Sequence, residues 1–425
     1  MRQTKTKRFS PNIPDPPPVS CWTGWKKGEL QVHFIHTGVA ESIFYILPDG
    51  TTMLCDCGDH PALTRLEYAV PVVPGPERLA GDWIARYVRR VLPEGTPQLD
   101  GRPLIDFMML SHFHDDHCGT ASWQSRKREP KGLPDCYRSG FALAAETLSF
   151  RFAVDRGFPD YTGPHDFPWR QAELDHMKRL YAALKERDGL QVSRFELGSS
   201  EQLRPLHDPA SVRDFRIANI AANGCILRRD GTIRDLYEDN TDPYGVFNEN
   251  GMSLGMLVRY GRFSLYAAGD FSDWILLPDG VRESTEDMFA AELPSVDVAK
   301  INHHGYMSMP EKLVRALSAR VWTACVWDQL HVMDDVLDRL ADRNLYPGPR
   351  TLYPTVFPEE RCRNAADRAF MADLAPEVRG KGAHVVVTVP PGGERYTVTC
   401  IDASDEEMRI LGKHEYLSHE ISLES

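Results

Sequence analysis

The sequence predicts an α/β protein in which two β-sheets pack together and are flanked by helices. Three observations carry that prediction. Strand-like runs crowd residues 31–55 with no helix between them; strands and amphipathic helices then alternate; and Leu104 to Leu110 is apolar except for Asp106, as in a strand buried on both faces.

In chain order, Gln31 to Ile35 and Ser42 to Leu47 are the first strands, and Pro48-Asp49-Gly50 turns the chain into a third, Thr52 to Cys55. The buried strand Leu104 to Leu110 follows. Phe141 to Phe150 and Arg170 to Arg187 read as helices; in the second, Leu174, Met177, Leu180, Tyr181 and Leu184 recur at spacings of three and four and mark one apolar face. His176 lies in that run and is expected on the surface. Ser253 to Tyr260 and Phe263 to Ala268 form a hairpin through Gly261 and Arg262. Val296 to Ile301 is a short strand, Glu311 to Ala319 a helix, Arg320 to Val326 a strand and His331 to Arg343 a helix. A last hairpin, His384 to Val389 and Arg395 to Ile401, turns through Pro390-Pro391-Gly392-Gly393. Residues 1–20 form a flexible Pro-rich arm and residues 21–375 the main domain. Within that domain, 121–245 is a helical and loop insertion or lid, and 376–425 is a C-terminal hairpin and tail packed on the domain.

The composition narrows the function. Lys+Arg 49 against Asp+Glu 61 gives a net charge of −12 over 425 residues, with 26% charged and 42% hydrophobic residues, which fits a globular chain and excludes disorder for its body. So acidic a chain lacks the footprint of a general duplex-binding protein. No apolar run reaches the roughly 18 to 20 residues that span a bilayer. The basic start (Arg2, Lys5, Lys7, Arg8) runs into prolines rather than an apolar segment, so no secretory signal is predicted. Nine cysteines, an odd number widely spread, suggest packed core thiols in a reducing compartment, and the expected location is cytoplasmic.

The chemistry concentrates after the buried strand, in Ser111-His112-Phe113-His114-Asp115-Asp116-His117-Cys118-Gly119. Imidazole nitrogens and carboxylate oxygens on one short loop suit zinc and related divalent ions. The spacing lets His112 and His114 project to one centre while Asp116 and His117 reach a second. Tyr266-Ala267-Ala268-Gly269-Asp270 ends another apolar strand with a carboxylate able to bridge two metals, and Asn302-His303-His304-Gly305 follows the next strand in the same manner. Each later segment is weak alone; in this order they reinforce the first.

The order Asp56-Cys57-Gly58, His112-x-His114-x-Asp116-His117, Gly269-Asp270, His303-His304-Gly305 resembles the metallo-β-lactamase superfamily over residues 30–335. Within it the chain is most similar to the branch holding the hydrolase domain of the bacterial competence DNA-uptake channel and the choline-phosphate esterases. The narrower likeness rests on His33 to Gly38 leading into Ser42 to Pro48, on Asn248-Glu249-Asn250 before Ser253-Leu254, on the Tyr260-Gly261 hairpin and on the doubled histidine.

The resemblance implies an αββα sandwich with two divalent metal ions, zinc first and manganese or iron as alternatives, at one edge of the sheets. His112 and His114 would hold the first metal, and Asp116, His117 and one of His303 or His304 the second. Asp270 would bridge, and Asp56 would orient the ligand loop from behind. Many members carry a further histidine for the first metal. Here the candidates are His165, His176 and His207, none in the expected strand-end context, and the competence-type branch lacks that ligand. His331, Asn250 and Arg156 are candidates for contact with substrate.

Paired divalent ions lower the pKa of a shared water and stabilise charge developing on oxygen, so the implied chemistry is metal-assisted hydrolysis by a metal-bound hydroxide, with Asp116 and Asp270 as its catalytic carboxylates. A phosphodiester is the leading substrate; a carboxylic ester, thioester, lactone or lactam is the alternative, and a degenerate binding protein the third reading. The implied partner is a small or single-stranded anionic substrate, neither a long duplex nor a membrane.

Overall fold

The computed structural model describes residues 20–60, 70–120, 129–163, 165, 171–242 and 248–419. Nearly all of the predicted N-terminal arm therefore lies outside the described residues. The fold is mixed α/β, built on two large sheets. The first runs Ile410–Leu417, Arg395–Asp402, Ala383–Val389, Leu30–Phe34, Ile43–Ile46, Thr52–Cys55, Arg102–Met109, Ser149–Asp155, Gln191–Arg194, with Gln98–Leu99 paired to its long central strand. The second runs Ile233–Asp235, Cys225–Leu227, Phe215–Ala222, Gly255–Tyr260, Phe263–Ala268, Val298–Lys300, Val321–Ala324, Thr351–Pro354.

Each sheet changes character across its width. Thr52–Cys55, Arg102–Met109, Ser149–Asp155 and Gln191–Arg194 pair in parallel, and so do Phe263–Ala268, Val298–Lys300, Val321–Ala324 and Thr351–Pro354. The remaining pairings in both sheets are antiparallel. Parallel neighbours end at the same edge, so the loops that leave these strands are gathered there.

Alternation along the strands builds two cores. Val32, Tyr45, Met53, Phe107 and Met109 of the first sheet share one apolar cluster with Ile217, Leu257, Leu265 and Val298 of the second. Phe44, Leu54, Ile105 and Met108 point the other way, onto helix Ala80–Val91, helix Gly140–Ala144 and helix Gln171–Asp188. Leu313, Val314, Val336 and Leu337, from helices Glu311–Leu317 and Asp334–Ala341, belong to the same apolar cluster as the second sheet. Asp106, the lone acid of the buried strand, is satisfied rather than exposed: it accepts from the Thr52 amide (3.0 Å) and hydroxyl (3.2 Å) and faces the His207 ring.

Several expectations are corrected. Phe141 to Phe150 is not one helix. The helix stops at Ala144, and Ser149–Asp155 is a strand parallel to Arg102–Met109, because Phe150, Phe152 and Val154 are better used in a sheet than on a helix face. Nor is 121–245 a helical insertion. Its described part supplies strands to both sheets, so the segment is integral to the frame. The hairpin expected at the C-terminus forms and is part of the first sheet itself: Ala383–Val389 pairs with Leu30–Phe34, and a further strand, Ile410–Leu417, extends that sheet beyond Arg395–Asp402. The helix expected from His331 begins at Asp334. His176 is buried, not on the surface; its ring stacks on Tyr137 at 5.2 Å, and among the described residues neither ring nitrogen has a hydrogen-bond partner. No helix among the described residues is long and apolar enough to cross a membrane.

Candidate metal centre

The parallel strand ends deliver the site. Asp56 follows Thr52–Cys55, the histidine loop follows Arg102–Met109, Asp270 follows Phe263–Ala268, and His303 and His304 follow Val298–Lys300. The loop is then strapped down by backbone. Asp56 N–H donates to Met109 O (2.9 Å), Cys57 N–H to His117 O (2.8 Å) and Asp59 N–H to Asp115 O (3.0 Å). Gly58 is required by this strap, since a Cβ there would lie 1.6 Å from the Asp116 carbonyl oxygen. His114 starts the short helix Asp115–Cys118, and its carbonyl accepts from the amides of His117 and Cys118.

Asp56 locks the register of the ligands. Its Oδ1 accepts from the Ser111 amide and its Oδ2 from the Ser111 hydroxyl, both at 2.7 Å, and Oδ2 also faces His117 Nδ1 at 2.8 Å. A carboxylate on Nδ1 fixes the ring and its tautomer and turns Nε2 toward the site. His304 is held the same way by another partner: the Cys325 carbonyl accepts from Nδ1 at 2.8 Å.

Two donor groups result, and Asp270 belongs to both. The first comprises His112, His114 and Asp270; His112 Nε2 and His114 Nδ1 are 3.0 Å apart. The second comprises Glu41, His117, Asp270 and His304, all buried. Asp270 Oδ2 is 3.2 Å from Nε2 of both His117 and His304, and 4.0 Å from His112 Nε2. Asp116 Oδ2 reaches the second group, 3.0 Å from His304 Nε2 and 3.5 Å from His117 Nε2.

Electrostatics separate the two groups. Burial alone lowers an imidazole, but the carboxylates of Asp270, Asp116 and Asp56 hold His117 well above its ordinary range. Burial is likewise outweighed at His304, which Asp270 and Asp116 push up to about 10. Asp116 and Asp270, raised by burial, are pulled well below the carboxylate range by those imidazoles. His112 goes the other way, lowered by burial and by His117 and His114, so its lone pair is free to donate. Thus the second group demands positive charge, supplied by imidazole protons when nothing else is there.

The residues fit a pair of divalent cations. Among the described residues the buried carboxylate oxygens Asp270 Oδ1 and Glu41 Oε2 accept no hydrogen bond, although Lys300 Nζ lies 3.9 Å from the first and His304 Nδ1 3.2 Å from the second, an arrangement that a cation would complete.

The doubled histidine is resolved by backbone conformation. His303 (φ 47°) and His304 (φ 51°) both occupy the left-handed region, which costs roughly 1–2 kcal/mol per residue and is held by the surrounding structure. The turn sends His304 into the second group and His303 away from it. His303 Nε2 meets Asn250 Nδ2 at 3.1 Å, and its Nδ1 meets Ser272 Oγ at 3.2 Å.

The substrate candidates divide. His331 stacks on His304 with ring centres 5.0 Å apart and sits beside Trp327 and Tyr306. Asn250 reaches the site's edge through His303. Arg156 is corrected: it forms a buried bidentate pair with Glu249 (2.7 and 2.8 Å) and lies over the Phe113 ring, bracing the histidine loop, and so is committed to a carboxylate rather than open to a phosphate. His165 faces Asp235 (2.9 Å), His207 faces Asp106 and His176 stacks on Tyr137, so none of the three joins the first group.

Sequence reasoning missed Glu41 and Lys300. Lys300 Nζ is 3.0 Å from Glu41 Oε1 and 3.9 Å from Asp270 Oδ1, and it donates to the Gly269 carbonyl at 2.9 Å. A lysine inside the apolar run Val296 to Ile301 was the available signal, because a buried ammonium requires an acid. No protein-family model matches this chain, and no curated protein matches it in sequence.

Proposed function

We propose that the chain is a metal-dependent hydrolase of the metallo-β-lactamase type, acting on a phosphoester and most directly on a phosphodiester. One observation carries the reading: two donor groups that share Asp270 lie where parallel strands of two packed sheets end. Helices Ala80–Val91, Gly140–Ala144 and Gln171–Asp188 against one face of the first sheet, and an apolar cluster on its other face that is shared with the second sheet, support the αββα sandwich of that family.

His112 and His114 would hold one divalent ion and His117, His304 and Asp116 the other, with Asp270 between them. Bound there, such ions supply Lewis acidity and water activated at neutral pH. The protein's own part is positional. Asp56 and the Cys325 carbonyl fix the two rings of the second group, and the Arg156–Glu249 pair keeps Phe113 and its loop in place. His303, tethered by Asn250 and Ser272, and His331, stacked outside His304, are the groups that would meet the substrate. A small or single-stranded anion suits the acidic chain better than a long duplex, because cations at the site reverse its charge only locally.

The acyl reading has one observation in its favour. Arg156 and Lys300, which adjoin the ligand loops, are both committed to buried carboxylates, while Tyr306, Met307 and Leu330 are exposed around His331. The test measures bound zinc and manganese in the purified full chain, with turnover of bis-p-nitrophenyl phosphate and of p-nitrophenyl acyl esters. At least one metal per chain with faster diester turnover is expected. Preference for the acyl esters would move the assignment to that class, and less than one metal with no turnover of either would refute the hydrolase.

A further inference from the structure

A second concentration of charge lies at the end of the strands opposite the metal centre. The metal-bearing loops follow Phe263–Ala268 and Val298–Lys300, whereas Arg320 and Arg350 immediately precede Val321–Ala324 and Thr351–Pro354, which run parallel to them. The strand from Arg320 to Cys325, whose carbonyl orients His304, sets the two places roughly 16 Å apart. At this end the edge strand Thr351–Pro354 of the second sheet and the edge strand Ile410–Leu417 of the first border an open hollow of about 490 Å³.

The hollow is basic, in a chain whose net charge is −12. Its two acids are spent on arginines outside the lining: Asp373 pairs with Arg343 at 2.6 Å and Glu415 with Arg395 at 2.9 Å. Glu377 faces the His414 ring at 2.8 Å, and Asp297, before the neighbouring strand, is held by Ser264 and His419. Among the described residues no acid pairs with Arg320, Arg350 or Lys413, all three in the lining. Arg320 is fixed side-on: it donates to Thr351 Oγ1 at 2.9 Å and lies over the Tyr416 ring at 4.6 Å, with its remaining N–H groups unspent among the described residues. Arg350 is used up as a donor by the carbonyls of Leu340, Asp342, Tyr346 and Gly348, but its buried charge is not cancelled. The buried hydroxyls of Tyr353 and Tyr416 lie 2.6 Å apart, and the bond between them uses one of their two protons. The other proton is left to donate.

We propose that this hollow binds a phosphomonoester, its phosphate group held by Arg320, Lys413 and the spare tyrosine proton. Uncancelled cations, an open guanidinium edge and a hydroxyl donor suit a doubly charged oxyanion. The volume falls within the roughly 300 to 1,000 Å³ of small-molecule sites and exceeds what free phosphate fills, so the ligand carries an organic part. The proposal stands apart from the hydrolase reading; where both hold, the ligand class is the one that phosphodiester hydrolysis releases.

Calorimetric titration of metal-stripped full-length protein with phenyl phosphate tests this, because the stripped centre offers the phosphate no metal ion. Wild type is expected to bind one equivalent, and inorganic phosphate more weakly. Arg320→Gln should weaken binding by about 10- to 100-fold, the scale of a hydrogen bond to a charged group. Lys413→Gln should weaken it by about 2- to 5-fold, as for an exposed ion pair. Asp373→Asn, which removes an acid from the lining, should tighten binding by a similar factor, a direction that lost packing does not produce. His114→Ala should bind as wild type does. Should Arg320→Gln fail to fold, Lys413→Gln and Asp373→Asn decide, since the proposal requires them to shift affinity in opposite directions.

No binding by wild type, wild-type affinity in a folded Arg320→Gln, or shifts of the same sign in the other two overturns the proposal. Loss of binding in His114→Ala does so as well, by moving the phosphate to the metal centre. Equal affinity for inorganic phosphate overturns the phosphomonoester assignment.

Discussion

The molecule buries two clusters of histidines, and they behave in opposite ways. At the candidate metal centre His112, His117 and His304 are interleaved with Asp56, Asp116, Asp270 and Glu41. In the first sheet His33, His36 and His384 gather around Tyr87: His33 Nδ1 meets the Tyr87 hydroxyl at 3.0 Å, His384 Nδ1 accepts from the His36 amide at 3.1 Å, and the Tyr87 and His384 rings lie 4.1 Å apart. Burial is as complete there, but among the described residues no carboxylate forms an ion pair with the rings, and Asp402 only weakly opposes the effect of burial on His384. Burial lowers His33 to about 3, His36 to about 4 and His384 to about 3, whereas His304 rises to about 10. A density of histidines does not make a metal site; histidines spaced by buried acids do.

The sharpest way to break this contrast is to remove the acid both groups share. Asp270→Ala, or His114→Ala, is expected to abolish turnover with the fold preserved, a loss larger than the about 10- to 100-fold that outer partners of ligands cost. Activity assays beside circular dichroism check it, and unchanged turnover in either variant would refute the ligand assignment. Next comes Asp56→Asn, which removes the anion behind His117 but keeps the shape. Metal affinity at the second position should fall by about 10- to 100-fold, and at the first by less, since Asp56 reaches His112 only through the Ser111 hydroxyl (3.1 Å from His112 Nδ1).

The Tyr87 cluster predicts an acid response. Its histidines are neutral in the fold and titrate near 6.5 when unfolded, so the unfolded chain binds more protons below that pH. Their stabilisation is complete above about pH 6.5 and is lost as pH falls toward about 4 for His36 and about 3 for His33 and His384, at about 1.4 kcal/mol per pH unit for each. His304 in metal-free protein has the opposite sign: its contribution is present below about pH 6.5 and lost as pH rises through about 10. Denaturant titrations between pH 4 and pH 7 check the first claim, and His33→Phe should flatten the slope by one histidine's share. The smallest effect belongs to His176, whose ring nitrogens both lack a hydrogen-bond partner among the described residues. His176→Met should leave stability unchanged or raise it by about 1 kcal/mol, with metal binding as in wild type. A clear loss would show that the stack on Tyr137 or a hydrogen bond to the ring outweighs the cost of burying its nitrogens.

Much of the fold was legible because it is written locally. The apolar run through Met109, the turn at Pro48-Asp49-Gly50 and the Gly261-Arg262 hairpin each state their conformation within a few residues. Phe141 to Phe150 failed for the same reason. Its apolar spacing suits either element, and only the open edge of Arg102–Met109 made Ser149–Asp155 a strand. The described part of 121–245 was misread as a whole because its strands are short and their partners far away in the chain.

The sequence by itself determined which residue types could hold a cation and that they follow buried strands, since His112, His114, Asp116 and His117 fall within one loop and a continuous chain keeps them together. Tertiary structure alone decided the rest. That His304 rather than His303 enters the second group depends on two left-handed residues in succession, which the doubled histidine does not announce. That Glu41, Lys300 and Asp270 meet depends on one strand edge from each of two sheets, and that Arg156 serves Glu249 depends on a pairing across 93 positions. Charge and donor atoms are properties of residues; the field at a buried site is a property of which charges the fold brings within a few ångströms.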